Sequence, residues 1–179
     1  MQQIIKDGVI QSDDWILVSG PDELQTEGRS DYLQTDNRYI LPVEDWLQLV
    51  YEISDSIELP GLWLNGNADL ESLRTDIHKA PLVAVEFSAF TDGSGFSTAS
   101  LLREEFGFSG ELRAFGAILP DQVPYLIRCG FNSVMLSQPQ DLELAVAQLE
   151  IARHSYQGSV DRPRTPFQQR VLKQRVKQS

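Results

Sequence analysis

Residues 91–97 read Thr-Asp-Gly-Ser-Gly-Phe-Ser and follow directly on an apolar run, LVAVEF, at 82–87. Two glycines, a carboxylate and three hydroxyls at the start of a helical segment are the components of an anion cradle. Exposed backbone N–H groups at a helix N-terminus hold a phosphate, a sulfate or a carboxylate. The spacing is not that of a dinucleotide fingerprint, and no Gly-Lys-Ser/Thr of a phosphate-binding loop follows. The bland alternative is a connection in which Asp92-Gly93 turns the chain, Ser97 caps the helix and Phe87, Phe90 and Phe96 fill core. On the ligand reading, Arg103 and Arg113 frame an anion together with the loop amides. Glu86, at the end of the apolar run, points at the same edge or into the core, and an unpaired carboxylate there calls for a partner such as Arg113.

Other reactive residue types are sparse. His78 and His154 each sit on a helical pattern without the carboxylate spacing of a zinc site. Cys129 precedes the helix stop Gly130 and follows Arg128; it is a buried small hydrophobe or a thiol activated by the guanidinium. As the chain's single cysteine it excludes an internal disulfide framework and any zinc site built on two cysteines of one chain. No metal site is expected.

These residues need a scaffold, and the pattern of the chain supplies one. With 179 residues, 41% hydrophobic and 23% charged, the chain fits one globular domain. The opening segment, IIKDGVI then WILVS, reads as a small hairpin over 1–19, and 20–38 as a polar loop or insert. LPVEDWLQLVYEIS puts Trp46, Leu49, Val50 and Ile53 on one face of a helix over 43–54. From residue 61 to 155 the order becomes regular. GLWLN, LVAVEF, ELRAFGAIL and FNSVML are strand candidates. DLESLRTDIHK, STASLLREEF, PDQVPYLIRCG and PQDLELAVAQLEIARHSYQ are the helices between and after them. Pro124 requires the third of these to start near it or to open with a separate turn.

Consecutive strand–helix pairs with continuously apolar strands predict an α/β domain over 1–160. Its sheet is mainly parallel, of four or five strands, either open or curled like half of a barrel. Val83, Val85, Leu101, Leu112, Phe115, Leu126, Val134 and Leu149 are the expected core. In such a sheet all strands open their carboxyl ends onto one edge, where ligand sites collect. Thr91, Asp92, Gly93, Gly95, Ser97, Arg103, Arg113, Asp121 and Gln122 are the candidate ligand-binding residues, expected together at that edge.

The net charge of −11 is uneven. Residues 161–179 carry six basic side chains against Asp161, a local charge of +5. The rest has nine basic and 25 acidic residues, giving −16. An acidic body argues against nucleic-acid binding. The basic C-terminal tail is either a solvated end or a docking element for that body, for an acidic partner or for nucleic acid; docking on the body of a second copy would make a homo-oligomer through the tail. The start has no basic region followed by an apolar stretch, and no run reaches about 18 apolar residues, so neither a secretory signal nor a membrane span is expected. Location in the cytoplasm is the expectation.

The block FTDGSGFSTASLLREEFGFSGELRAFGAILPDQVPYLIRCGF resembles the signature of the bacterial DUF934 family. IIKDGVIQSDDW, LPVEDWLQL, LPGLWLNGNADLESL and SYQGSVDRP resemble further family segments. The family pattern falls on Phe90, Thr91, Asp92, Gly93, Gly95 and Ser97, then on Leu102, Arg103, Gly107 and Gly110. It continues through Glu111, Leu112, Arg113, Ala114, Gly116 and Leu119 to Asp121, Gln122, Arg128, Cys129, Gly130 and Phe131. Ser94 replaces an arginine of the family's loop, and Ala117 an aspartate after the strand glycine. Members are labelled as oxidoreductases of sulfite reduction because they are encoded beside the sulfite reductase haemoprotein. The resemblance therefore implies an accessory role in assimilatory sulfite reduction, with that haemoprotein as partner. No flavin, nicotinamide, haem or iron–sulfur motif is visible, so no cofactor is assigned and catalysis is left open. Two other readings stand beside it: a non-catalytic interaction module for the reductase system, and a β/α enzyme binding a small phosphorylated or sulfonated metabolite.

Overall fold

The computed structural model describes residues 2–18, 37–52 and 59–152. The basic tail, His154 and most of the 20–38 segment lie outside the described residues.

Eight strands form one sheet: β1 (Gln2–Lys6), β2 (Val9–Asp13), β3 (Trp15–Leu17), β4 (Arg38–Pro42), β5 (Gly61–Asn65), β6 (Leu82–Phe87), β7 (Glu111–Gly116) and β8 (Ser133–Val134). Their order is β2-β1-β8-β7-β6-β5-β4-β3. From β3 round to β8 every pairing is parallel; β1 is antiparallel to both β8 and β2. The two strands that end this order, β2 and β3, are joined by Asp14 alone. The sheet must therefore curl until its edges meet, and it does so as a nearly closed barrel. The expectation of four or five strands is thus corrected to eight, while the mainly parallel α/β character holds. The strand missing from the pattern is β4, where the apolar run Tyr39-Ile40-Leu41 is only three residues long. The predicted hairpin is present, turning at Asp7 and Gly8, both at positive φ. It is part of the barrel wall rather than an appendage.

Among the described residues four α-helices cover the outside: α1 (Val43–Glu52), α2 (Ser94–Glu104), α3 (Val123–Cys129) and α4 (Asp141–Ala152). Side chains paired across a ladder share a face, so the register sorts the barrel into inside and outside. Leu62, Val83, Val85, Leu112, Ala114 and Val134 face the helices and form the larger core with Trp46, Leu102, Leu126 and Leu142. Trp15, Ile40, Leu82, Ala84 and Phe115 fill the interior, with Leu17, Trp63 and Met135 packed against them. Of the expected core, Leu101 is instead 39% exposed and Leu149 is half-buried.

Two helical expectations resolve into shorter pieces. Residues 69–79 form two 3-10 turns, Glu71–Leu73 and Ile77–Lys79, although Leu70, Leu73 and Ile77 are buried as the stripe requires. Asp69 accepts the Glu71 N–H through Oδ1, and its carbonyl accepts the Ser72 hydroxyl, local bonds that compete with a continuous helix. The Pro124 conflict is settled by a separate 3-10 turn at Pro120–Gln122, after which α3 begins. Proline then falls in the first turn, where no N–H is needed. Gly130 closes α3 in the left-handed conformation.

Candidate functional site

The loop after β6 spends its polar groups internally. Asp92 Oδ1 accepts from the Ser94 N–H at 3.0 Å and from the Ser94 hydroxyl at 2.7 Å, which holds its carboxyl below the ordinary aspartate value. The Asp92 N–H in turn donates to Ala89 O at 2.9 Å. A carboxylate thus already occupies the N-terminal pole of α2, the place an incoming anion would take. Ser97 does not cap; it lies within α2, on a cleft of about 440 Å³ shared with Gly66, Asp69, Glu71 and Glu105. Ser94, the residue standing where the family's arginine is expected, gives its hydroxyl to Asp92.

The glycines of the loop have different reasons. A Cβ on Gly95 would lie 2.6 Å from the Phe87 ring, so glycine is needed for α2 to settle on the strand end. Gly116 closes β7 at φ +102, and a Cβ there would meet Phe87 O at 2.5 Å. Gly93 faces open space with ordinary φ, so nothing in its surroundings demands glycine.

The loops after β6 and β7 are tied together by Gln122. Its Oε1 accepts the Leu119 N–H at 2.9 Å, and its Nε2 donates to Phe90 O at 2.9 Å. Ala117 N–H donates to Phe87 O and Ser137 Oγ to Gly116 O. Thr91, Asp92, Gly93, Asp121 and Gln122 therefore share the carboxyl end of the barrel, as expected. The coupling also gathers apolar surface there. Phe90, Leu119 and Tyr125 are 59%, 47% and 52% exposed. Tyr125 packs at a tilt against half-buried Phe96, centroids 4.8 Å apart, and Phe96 meets Phe87 edge-on at 5.1 Å. Of the three phenylalanines, only Phe87 is fully core.

The two arginines are elsewhere, which corrects the predicted cluster. Arg103, near the end of α2, donates to the carbonyls of Gly130, Phe108 and Gly110 at 2.9, 2.5 and 3.0 Å, and to Asn132 Oδ1 at 3.3 Å. It staples the loops that precede β7 and β8, at the amino end of the barrel. Arg113 lies inside the barrel, 1% exposed. It makes two bonds to the Asp13 carboxylate, at 2.7 and 3.0 Å, and two to Glu111 Oε1, at 2.7 and 3.0 Å. Lys6 Nζ completes the network on Glu111 Oε2 at 2.6 Å. Burial alone would push the Glu111 carboxyl up; Arg113 and Lys6 together hold it below the usual glutamate range.

Glu86 is therefore not the partner of Arg113. Period-two parity puts it on the inner face, across the ladder from Asn65 and Phe115. It is half-buried, and among the described residues it has no hydrogen-bond or ion-pair partner. The parity of Leu82, Ala84 and Glu86 carried that inward placement in the sequence. The choice of Asp13 for Arg113 had no local signal.

Burial pushes the Cys129 thiol up, against smaller opposing effects from Tyr125 and Arg128. The protonated, inert form is favoured over an activated thiolate. Exposed His78 sits on the Ile77–Lys79 turn. Among the described residues no three His, Cys, Asp or Glu side chains gather to hold a metal ion, and no helix is long and apolar enough to cross a membrane.

A mostly parallel, nearly closed barrel with helices outside defines the class: a β/α barrel-like domain, with the loops that follow its parallel strands gathered at one end. Residues 61–167 match the family described as "Bacterial protein of unknown function (DUF934)". The chain belongs to that family. No curated protein matches it. The family match covers β5 to α4, whereas β1 to β4, which close the barrel and supply Asp13, precede it.

Proposed function

We propose that this protein is an accessory protein of assimilatory sulfite reduction, acting as a binding module for the sulfite reductase haemoprotein. The family's association with that enzyme supports the sulfur role. The observation that carries the binding-module reading is the apolar group Phe90, Leu119 and Tyr125, presented on loops that Gln122 braces. Exposed aromatic surface on a rigid support is the usual centre of a protein interface. Asp92 and Asp121 flank it on a chain of net charge −11, which suits a partner with a basic rim. The metabolite reading loses its support, because Asp92 holds the helix pole and both arginines are engaged at the other end.

Two measurements test the reading. A host strain lacking the gene should fail on sulfate or sulfite as sole sulfur source and grow on sulfide or cysteine. Tagged full-length protein purified from the host should retain the haemoprotein, and a Phe90→Ser/Tyr125→Asp double variant should fold normally and lose it. Normal growth on sulfate, with no retention by the parent protein, would sink the proposal.

A further inference from the structure

The inner face of the barrel changes character along its axis. Toward the amino end every interior charge is matched: Lys6 with Glu111, and Arg113 with Glu111 and Asp13. Leu82 and Ala84 lie across the ladder from Glu111 and Arg113, and with Ile40 and Phe115 they are buried, while Leu17, Trp63 and Met135 are only partly so. The interior thus becomes reachable where these three side chains line it. Trp63 is held in place by its indole N–H, which donates to Val18 O at 2.8 Å, and its ring meets Phe115 edge-on at 5.9 Å. Glu86 stands in this mouth, directly across from Phe115 and one pleat beyond Ala84, the register partner of Trp63.

A carboxylate half-withdrawn from water, beside aromatic rings and without a counter-charge, is costly unless something supplies the charge. Carboxylate plus aromatic face is the combination that recognises an organic ammonium group: one charge-assisted hydrogen bond and one cation–π contact. The net charge of −11 adds a long-range field that draws cations toward the molecule. We infer that the carboxyl mouth of the barrel binds a small molecule carrying a protonated amine, with Glu86 as its counter-ion and Trp63 and Phe115 as its apolar wall. This site is independent of the sulfur role, and its test shares no readout with that of the reductase partner.

The test follows the Trp63 indole N–H of the full chain by NMR, assigned with a Trp63→Phe variant, during titration at constant ionic strength. The probes are n-butylamine, n-butanol and butyrate. The amine should shift the resonance saturably and the other two should not. Glu86→Gln should weaken the amine by about tenfold or more, the loss of a charged hydrogen-bond acceptor. Glu104→Gln, which changes the net charge equally at an exposed position on α2, should leave it unchanged. Glu86→Gln should also melt no lower than the parent, because it removes an unmatched charge. An unsaturable response, an equal response to butanol, or equal weakening by Glu104→Gln would overturn the inference. So would a lower melting temperature for Glu86→Gln, which would mean that Glu86 serves the fold.

Discussion

The two ends of the barrel carry the same residue types with opposite outcomes. At the amino end Asp13, Glu111, Arg113 and Lys6 satisfy one another, and Arg103 ties three carbonyls and an amide side chain. At the carboxyl end Glu86 is unmatched and Phe90, Leu119 and Tyr125 face solvent. A charge that finds its partner within the chain holds the fold; a charge or a ring left without one is available to something else. Of the arginines that a motif reading places at a ligand, both belong to the first kind.

The sharpest way to break this comparison is Arg113→Met. It strands the Asp13 carboxylate inside the barrel and leaves Glu111 with Lys6 alone, and removing one partner of a buried ion pair costs about 3–5 kcal/mol. Urea denaturation should show a loss of that size; a loss within experimental error would mean that the network contributes nothing to closure. Gly95→Ala should cost roughly 1–3 kcal/mol by forcing a methyl into the Phe87 ring, while Gly93→Ala, two residues away in open space, should change little. Equal costs at both would return the loop to a uniform turn.

Acid provides a third contrast. Glu111 has a depressed pKa in the folded state, so its contribution to stability is complete above the ordinary glutamate pKa of about 4.3 and is lost as pH falls through the lower folded value. Glu111→Gln should be less stable than the parent at neutral pH and should flatten the acid limb of the melting-temperature profile. An unchanged acid limb would remove Glu111 from the linkage. The smallest effect is expected from Tyr125→Ser, at a half-exposed position on α3: little change in urea midpoint, but weaker retention of the partner.

Much of the parallel wall was legible in the sequence. LVAVEF and ELRAFG are six-residue apolar-rich strands with helical stripes after them, and they pair as expected. The barrel itself was not. Short apolar bursts marked the β3 and β8 segments as strands but not their partners: β1 and β8 meet across more than a hundred residues, and Asp13 and Arg113 across 100. Composition and spacing report local preference; they carry no information on which distant strand edge meets which. The candidate site divided along the same line. Asp92, Asp121 and Gln122 fell at the carboxyl edge because they follow strands whose direction the βα order sets. Arg103 and Arg113 were misplaced because a long side chain takes whichever acceptors the tertiary fold brings within reach.

The single residue between β2 and β3 has a consequence for how the chain is made. Among the described residues the first strand in chain order pairs with the last, so β1 lacks its β8 neighbour, and nearby Asp13 its Arg113 counter-charge, until about a hundred further residues have been made. Contacts of such long sequence separation are slow to form. The amino-terminal third must wait, with open strand edges, for Ser133–Val134 to emerge. Assembly of the barrel is thus a late event of biosynthesis, and a chain cut short before β8 is left with edges prone to pair with one another.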